Sequence, residues 1–474
     1  MKINKVLALL IIIFAVGTLL RMYPAALSDK PLRFDTYYHV RVAEIMKETG
    51  AIPVSDPWPF GGRPHIYPPL YHISLAAASI ASGASVLDVS RFFLPIISSI
   101  TILGVFWFVR NFRNERTALI ASFLFAFNPF LISSSYESPQ VIGLLLSLFA
   151  VYFLMRKRYL YCGLLLGVIY LFNVFIALII VAPVVLLLLF ERRLKQAAIT
   201  AAPLALFIAL WYLPRLDALY CLNNWIGPLF IAKGAGMWVM FSTPAFVALA
   251  LISVTLLDSI GDRYRRFWLL GTTVFMLIFL THFFTPALHP WRLDSILMFS
   301  FIFVFADAVA DMKRKKQFFF CVYVLASLFT LSVMYHSWLF DRPLTQNEYA
   351  LVDYTATLPP TIIPLATHDL CANIMTLTNH SCLLDINFEC IPNPDLWYDY
   401  EQVLWAGNSE EIRILLEKHS VQALALSGGD AVQRLVTPLD VDKRFAAWLP
   451  NTPDASYYEI NIRQGALSYY GRLA

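Results

Sequence analysis

Charged residues are scarce in this sequence. Asp, Glu, Lys and Arg make up 14% of the 474 residues, against about a quarter in soluble domains, whereas hydrophobic residues make up 58%. This composition argues against a soluble domain and predicts an integral membrane protein. Aromatic residues, at 15%, agree with that prediction because Trp and Tyr favour bilayer interfaces. The net charge of +4 says little as a total, and nothing in the sequence predicts a nucleic-acid partner.

The sequence also lacks a signal-peptide cleavage site and a zinc-binding cysteine pattern. No small-residue cleavage site follows the first apolar run, residues 7–20, so we interpret it as an uncleaved first span instead of a signal peptide. The cysteines include no Cys-x-x-Cys pair, which argues against a zinc site. Three of them, Cys371, Cys382 and Cys390, fall in the C-terminal part, where a Cys371–Cys382 or a Cys382–Cys390 disulfide fits the sequence equally well.

Long apolar runs recur along the first 336 residues. A membrane-spanning helix needs about 20 apolar residues, and about eleven stretches are predicted to span. The stretch 159–190 is too short for two comfortable spans and too long for one, so we expect it to bend near Asn173. The predicted spans are residues 5–22, 91–109, 117–133, 139–155, 159–173, 174–190, 197–214, 238–257, 267–285, 293–311 and 317–336.

Basic residues between the spans decide the predicted orientation, because cytoplasmic loops carry an excess of Lys and Arg. With the N-terminus in the cytoplasm, every basic cluster falls in a cytoplasmic loop. Counting the short apolar stretch 69–86 as a span would invert this pattern, so we expect a helix that lies on or dips into the interface there. The clusters occupy residues 110–116, 156–158, 192–195, 263–266 and 313–316.

Two regions then face the outside: a first external loop, residues 23–90, and the chain beyond Trp338. In the second region apolar runs shorten to strand length and alternate with polar helical stretches, which is typical of a small α/β domain. The sequence therefore predicts a polytopic α-helical membrane protein, with a transmembrane domain over 1–336 and an extracytoplasmic α/β domain over 337–474. Strands are predicted at 362–366, 382–386 and 421–426, and helices at 409–419 and 430–436.

The first external loop holds the densest polar cluster, which includes Asp35, His39, Arg41 and Asp56. A carboxylate held near the membrane face can act as a general base or bind a divalent cation. Asp35 equally suits the N-cap of a helix over 36–49, because Asp is a favoured N-cap residue. The two interpretations are compatible.

Two further residues are expected at the same membrane face. Glu137 is predicted in a short loop between two spans, where an ionisable group is costly and tends to be functional, although a solvated turn residue fits as well. Arg292, in the stretch His289-Pro290-Trp291-Arg292, suits phosphate recognition because its planar fork makes paired contacts. A snorkelling interface arginine is the alternative. We expect the acids and the arginine to converge beside lipid phosphates.

Three stretches, taken together and in this order, resemble motifs of the GT-C superfamily of membrane glycosyltransferases. The likeness is greatest to the catalytic subunit of archaeal and bacterial oligosaccharyltransferases. The stretches are residues 34–41 (Phe-Asp-Thr-Tyr-Tyr-His-Val-Arg), continued by Asp56-Pro57-Trp58 and residues 67–70, then residues 134–137 (Ser-Ser-Tyr-Glu), and residues 289–292.

The resemblance implies an inverting glycosyltransferase in the cell membrane. Such an enzyme moves a sugar or oligosaccharide from a polyprenyl or dolichyl phosphate or pyrophosphate donor to a protein, glycan or lipid acceptor at the extracytoplasmic face. Asp35 would be a metal ligand or catalytic base, Glu137 its partner acid, and Arg292 the donor-phosphate ligand. The implied cation is Mg²⁺ or Mn²⁺, held by Asp35 and Glu137. Asp56, His39 and Arg41 are additional candidates.

The sequence departs from that family at two places. Ser135 stands where relatives usually have the first acid of an Asp-x-Glu pair. The family's Trp-Trp-Asp-Tyr-Gly reader of Asn-x-Ser/Thr acceptors should follow the first outer strand, but residues 366–371 read Ala-Thr-His-Asp-Leu-Cys. The acceptor is therefore also open to lipids, glycans or Ser/Thr hydroxyls, as in protein mannosyltransferase and aminoarabinose-transferase relatives.

Two other classes of function compete with the enzyme. A transporter or flippase for lipid-linked glycans would favour midplane charges, broken helices and internal repeats. The predicted spans are nearly free of charge at their centres, and the sequence shows no internal repeat. A scaffold whose outer domain binds ligands is the third hypothesis. The carboxylates predicted outside favour the enzyme over both.

Overall fold

The computed structural model of the chain separates into two compact units. The helical unit comprises Met1–Leu32, Pro68–Leu216 and Ile226–Phe340, and the mixed unit comprises Arg33–Tyr67, Asp217–Trp225 and Asp341–Ala474. Predicted spans 238–257 and 317–336 and the basic cluster 313–316 lie outside the described residues. The structure describes residues 5–27, 34–56, 63–137, 139–218, 262–281, 290–310, 346–359, 364–366, 368–378, 380–382, 418, 423–427, 447–448, 455–461 and 468–470.

Apolar helices make up the described part of the helical unit. Within it, three stretches are long and apolar enough for each to cross a membrane, namely Lys5–Leu27, Val86–Arg110 and Leu194–Leu216. The helices are α1 (Lys5–Leu27), α3 (Leu70–Ser82), α4 (Val86–Arg110), α5 (Glu115–Phe127), α6 (Pro129–Glu137), α7 (Gln140–Met155), α8 (Tyr159–Phe172), α9 (Val174–Phe190), α10 (Leu194–Tyr212, followed by a 3-10 turn at Leu213–Ala218), α11 (Arg263–Thr281) and α12 (Pro290–Ala310).

Aromatic side chains hold α4, α11 and α12 together. The rings of Trp268 and Phe303 stack with their centroids 4.0 Å apart, and Phe108 meets the edge of Trp268 at 5.9 Å. All three side chains are buried. Because such rings bury large apolar areas, this cluster fixes the late helices α11 and α12 against the early helix α4.

The basic turns of the helical unit gather at one end, here called the basic end. Arg113, between α4 and α5, binds Asp307 near the end of α12 at 2.8 Å. Asp307 also pairs with Arg265 at the start of α11. In turn, Arg263 binds Glu191, which follows α9, at 2.8 Å. Carboxylates therefore join basic clusters that are far apart in the sequence.

The bend predicted near Asn173 is confirmed. The extended backbone of Asn173, with φ −157° and ψ 110°, ends α8, and its side chain accepts a hydrogen bond of 3.0 Å from the amide of Ile176 at the start of α9. The hairpin returns to the end from which it began, since Arg193 donates to the Tyr159 hydroxyl at 2.8 Å. Four of the predicted basic clusters thus share the basic end. Its cytoplasmic location stays a prediction.

The single span predicted over 117–133 is wrong, because the helix breaks at Asn128. Pro129 disfavours the helical conformation in the residue before it, and Asn128 accordingly has an extended ψ of 121°. The Asn128 side chain then accepts a hydrogen bond of 3.2 Å from the amide of Leu131 and caps α6. α5 and α6 are therefore separate helices joined at one residue.

The described part of the mixed unit combines helices with a five-stranded sheet. Strand β3 (Pro364–Ala366) pairs in parallel with β4 (Ala423–Ser427). The strand β6 (Ala455–Asn461) is antiparallel to β4, to β5 (Ala447–Trp448) and to β7 (Ser468–Tyr470). β3 and β4 lie at the strands predicted over 362–366 and 421–426, while residues 383–386, 430–436 and nearly all of 409–419 lie outside the described residues. The elements are α2 (Phe34–Thr49), β1 (Ser55–Asp56), β2 (Arg63–Pro64), α13 (Gln346–Thr355), β3 (Pro364–Ala366), α14 (His368–Leu377), β4 (Ala423–Ser427), β5 (Ala447–Trp448), β6 (Ala455–Asn461) and β7 (Ser468–Tyr470).

Candidate active site

Asp35 lies in the first turn of α2. The helix begins at Phe34, one residue earlier than expected, so Asp35 is inside the helix instead of being its N-cap. An acidic residue in a first helical turn is favoured by the partial positive charge of the helix N-terminus.

Arg41 and Asp56 bind each other within the mixed unit. Arg41 Nη2 lies 2.7 Å from Asp56 Oδ2, and both side chains are buried, at 3% and 1% exposed. The ion pair joins α2 to β1, whose residue Asp56 lies opposite Arg63 in the β1–β2 hairpin. The ion pair between Arg41 and Asp56, two of the additional candidates, therefore positions the helix that carries Asp35.

His39 is part of an aromatic cluster on the same helix. Its ring meets Tyr67 edge-on, with centroids 4.9 Å apart, and Tyr38 at 5.3 Å. The Tyr38 hydroxyl is 3.0 Å from Nδ1 of His65, and the His65 amide donates to the carbonyl of Val54 at 2.9 Å. The buried face of α2 is thereby packed against the residues that flank the β1–β2 hairpin.

The C-terminal part of the chain also supports α2, which sequence reasoning missed. Helix α14 packs against α2, and the Thr376 hydroxyl donates to the carbonyl of Tyr37 at 3.2 Å. α14 follows β3 directly, at the place where the resemblance puts the acceptor reader. The first external loop was predicted as part of the transmembrane domain. Apolar residues such as Leu370 and Ile374 at helical spacing were the available signal for this packing face.

A disulfide joins α14 to the residues that follow it. Cys371 and Cys382 are bonded, with their Cα atoms 5.6 Å apart. The structure therefore contains the Cys371–Cys382 pairing and not the Cys382–Cys390 pairing that the sequence also allowed. Both cysteines are buried, so the bond ties the first turn of α14 to the residues after the helix from inside the unit.

Glu137 is the last residue of α6, which corrects the prediction that it lies in a short loop between two spans. Ser135, in the place of the missing acid, is buried and donates to the carbonyl of Leu131 at 3.2 Å. Its hydroxyl is thus used by its own helix. The second motif contributes one carboxylate, from Glu137.

Arg292 lies in the first turn of α12, at the end of the helical unit opposite the basic end. Along α12, Asp307 binds Arg113 before α5 begins, and Phe299 packs edge-on against Phe125 near the end of α5, with centroids 6.2 Å apart. The first turn of α12 therefore lies beyond α5, where α6 packs against α12. The helices that carry Glu137 and Arg292 meet at this end.

A divalent metal ion is held by several protein ligands that lie close together. Within the described residues, no group of three or more His, Cys, Asp and Glu side chains could hold a metal ion. Mg²⁺ is nevertheless often held by one or two carboxylates together with substrate phosphates and water. Asp56, one of the additional candidates, is bound to Arg41.

Comparisons with known proteins fit this architecture. No family model matches the sequence. Over 134 residues, 27% of the chain, it is 28% identical to dolichyl-phosphooligosaccharide-protein glycotransferase 1 of Archaeoglobus fulgidus, and the match spans only 22% of that protein. The structure of the A. fulgidus oligosaccharyltransferase tethered with an acceptor peptide matches 99% of this chain and 74% of its own, with a TM-score of 0.58 and 13% identity.

A second kind of enzyme matches the fold of this chain over nearly the whole length of both proteins. ArnT from Cupriavidus metallidurans, bound to undecaprenyl phosphate, matches 94% of this chain and 97% of its own, with a TM-score of 0.56 and 11% identity. The chain has the fold of the GT-C membrane glycosyltransferases. This confirms the resemblance and agrees with a multi-pass membrane protein. Another structure with this GT-C fold, that of the A. fulgidus enzyme with Zn and sulfate, has a TM-score of 0.52.

Proposed function

We propose that the protein is an inverting glycosyltransferase that uses a polyprenyl phosphate or pyrophosphate sugar donor. The observation that carries the proposal is the GT-C fold, matched over 94% to 99% of the chain by enzymes of this kind. It is supported by the position of Asp35 in the first turn of α2 and of Glu137 at the end of α6.

The proposed reaction is a single displacement at the anomeric carbon. The acceptor's nucleophilic atom forms a bond to that carbon, and the bond from the carbon to the donor's phosphate oxygen breaks. The phosphate leaves with the electron pair, and the acceptor's proton passes to a carboxylate. We assign Asp35 as the base and Glu137 as the partner acid. We assign Arg292 to the donor phosphate, where a guanidinium stabilises the charge that develops on the leaving group.

We also propose that a divalent cation binds near the donor phosphate. Mg²⁺ or Mn²⁺, with Asp35 and Glu137 as candidate ligands, would neutralise phosphate charge when bound. Arg41 and Asp56 have a different part, because their ion pair holds α2 in place. If a metal takes part, EDTA should abolish transfer and added Mg²⁺ or Mn²⁺ should restore it. Transfer that is indifferent to EDTA would remove the metal from the proposal.

We propose that the end of the helical unit carrying Arg292 and the mixed unit face the extracytoplasmic side. The shared basic end supports this orientation, because Lys and Arg are retained in cytoplasmic loops. The Cys371–Cys382 disulfide supports it independently, since disulfides persist mainly in oxidising compartments. A membrane-impermeant maleimide should label cysteines introduced at Ser82 or Thr357, and should not label one introduced at Arg158, in intact cells.

The acceptor is proposed to be an Asn-x-Ser/Thr segment of a protein, with a lipid, a glycan or a Ser/Thr hydroxyl as the second candidate. The second candidate is favoured by residues 366–371, which lack the Trp-Trp-Asp-Tyr-Gly pattern and form the end of β3 and the start of α14. The likeness to ArnT, matched over 97% of its length, also supports it. Parallel assays with an Asn-x-Thr peptide and with lipid acceptors would separate the two.

The deciding experiment measures transfer of a radiolabelled sugar from a polyprenyl-linked donor by the purified protein in liposomes. Asp35→Asn and Glu137→Gln should each lower the transfer rate at least about a hundredfold, while expression is unchanged. The exposed Glu48, on the same helix as Asp35, supplies one control as Glu48→Gln. Glu115→Gln, at the basic end, supplies the other. Full activity of both Asp35→Asn and Glu137→Gln would reject the assignment, and movement of the donor lipid without transfer would support a flippase.

A further inference from the structure

Helix α1 contains an arginine that the proposed reaction does not use. Arg21 lies within the apolar helix Lys5–Leu27, and its side chain is fully buried, at 0% exposed. A charged side chain inside a membrane-type helix is costly, and it is retained where it has a specific task. The contacts of Arg21 indicate what that task is.

The guanidinium of Arg21 binds the last turn of α5. Nη1 donates to the carbonyl of Ala126 at 2.8 Å, and Nη2 donates to the carbonyl of Phe125 at 3.0 Å. The last four carbonyls of a helix have no partner within the helix, and α5 ends at Phe127. Arg21 thus satisfies the carbonyls that the break at Asn128 exposes.

The remaining donors of Arg21 tie it to neighbouring helices. Nε donates to the Ser98 hydroxyl of α4 at 2.7 Å, and Nη1 also donates to the carbonyl of Gly17 at 3.0 Å. Gly17 allows α1 to pack closely against α4 and α5, because a Cβ atom there would lie 2.6 Å from Ile102 and 3.0 Å from Ala126. The guanidinium is therefore held in one orientation by α1 and α4.

The same turn of α1 also holds the end of α6. The Tyr136 hydroxyl donates to the backbone carbonyl of Arg21. Tyr136 and Ile132 also form a small buried cluster with Ala25 of α1. One turn of α1 therefore binds the end of α5 through its side chain and the end of α6 through its backbone. Tyr136 immediately precedes Glu137.

We infer that Arg21 is a positioning residue, which fixes the joint between α5 and α6 and thereby orients Glu137 for sugar transfer. This inference rests on the proposed function of Glu137, and Arg21 itself does not touch the reacting atoms. A displacement of about 1 Å at a reacting group can cost about a hundredfold in rate, so loosening the joint should lower kcat. Donor binding through Arg292, which lies on α12, should change much less.

Three variants and a control test this inference. Arg21→Met removes the guanidinium, and Arg21→Lys keeps the charge but not the fork that reaches two carbonyls. Tyr136→Phe removes only the hydrogen bond to the Arg21 carbonyl. Arg263→Met is the matched control, because Arg263 likewise donates to the last carbonyls of a helix, those of Leu154 and Met155 in α7, at the basic end.

Hydrogen–deuterium exchange of peptides covering residues 126–137, together with kcat and KM for the donor, provides the readouts. Arg21→Met and Tyr136→Phe should raise exchange in these peptides and lower kcat about tenfold to a hundredfold, with KM changed less than about twofold. Arg21→Lys should recover part of the loss. Arg263→Met should leave exchange in residues 126–137 and kcat unchanged.

Three outcomes would overturn the inference. Unchanged exchange in Tyr136→Phe and in a folded Arg21→Met would show that the turn of α1 does not hold the joint, whatever the activity. Raised exchange with unchanged kcat would make the role purely structural. Raised exchange in a protein whose wild type transfers no sugar would reject the proposed function, and with it the catalytic meaning of Arg21, while the contact with the joint would stand.

Discussion

Thr376 and Tyr37 are joined by a hydrogen bond of 3.2 Å, although 339 residues separate them in the chain. The Thr376 hydroxyl, on α14, donates to the backbone carbonyl of Tyr37, in the second turn of α2. This bond links the C-terminal part of the chain to α2, the helix that carries Asp35. The stability of α14 should therefore influence the helix that carries Asp35.

Reducing the Cys371–Cys382 disulfide should destabilise the mixed unit. The bond closes a short loop, with a sequence separation of 11, so its loss should cost roughly 3 kcal/mol. Cys371→Ser should lower the thermal unfolding midpoint and make it insensitive to dithiothreitol. Cys162→Ser is the control, because Cys162 is a buried free thiol and the variant should keep the wild-type response to the reductant. An unchanged midpoint after verified reduction would contradict the prediction.

Breaking the pair between Arg41 and Asp56 should be costly for folding. Removing one member of a buried ion pair leaves a charge without its partner, at a cost of about 3 to 5 kcal/mol. Asp56→Asn should therefore lower the stability of the mixed unit strongly, and Arg41→Met combined with Asp56→Asn should lower it less than the sum of the two single changes. A double-mutant cycle on denaturant unfolding measures this coupling. Lost transfer with normal stability would make Asp56 a catalytic residue instead.

Asp307 should matter more for stability than a typical surface acid. Its carboxylate pairs with Arg113 and Arg265 and is only 9% exposed. Asp307→Asn should cost about 2 to 3 kcal/mol, because two guanidinium groups lose their shared carboxylate. The exposed pair of Arg110 and Glu115 supplies the control, and Glu115→Gln should cost less than about 1 kcal/mol. Unfolding midpoints in detergent compare the two, and equal losses would contradict the prediction.

Glu44 should make stability depend on pH. Burial, with a further contribution from Glu48, raises the pKa of Glu44 from 4.5 to about 6. The folded state therefore binds its proton more tightly than the unfolded chain, and stability should fall as the pH rises from about 4.5 through about 6. Glu44→Gln cannot ionise, so it should be more stable than wild type at pH 7.5, with the difference fading near pH 4.5. A difference that is constant across this range would show that ionisation is not its cause.

Several features of the fold could be predicted from local sequence. The bend at Asn173 followed from the length of an apolar run between two basic flanks, and β3 and β4 followed from short apolar runs. The gathering of the basic turns followed from charge, because positive residues stay on one side of a membrane. These signals are local, and each element satisfies them independently of its neighbours.

Other features escaped prediction because they depend on long-range packing. The break at Asn128 had a local signal in Pro129, yet the apolar composition continues through it, so a single span was predicted. The role of the buried Arg21 had no local signal, since nothing near it in sequence shows that Phe125 and Ala126 supply its acceptors. The choice of Cys371 as the partner of Cys382 needed the geometry of α14.

The membrane class, the GT-C resemblance and the identity of Asp35, Glu137 and Arg292 as candidates came from composition, charge and motif order. The hydrophobicity and charge of a segment determine whether that segment prefers the bilayer or water. This preference is local, so it can be predicted from the sequence of each segment alone. The contacts of Arg21, of Arg41 with Asp56 and of Thr376 with Tyr37 became known only from the folded chain. They join residues distant in sequence, and their energy depends on a fit between surfaces that exist only after folding.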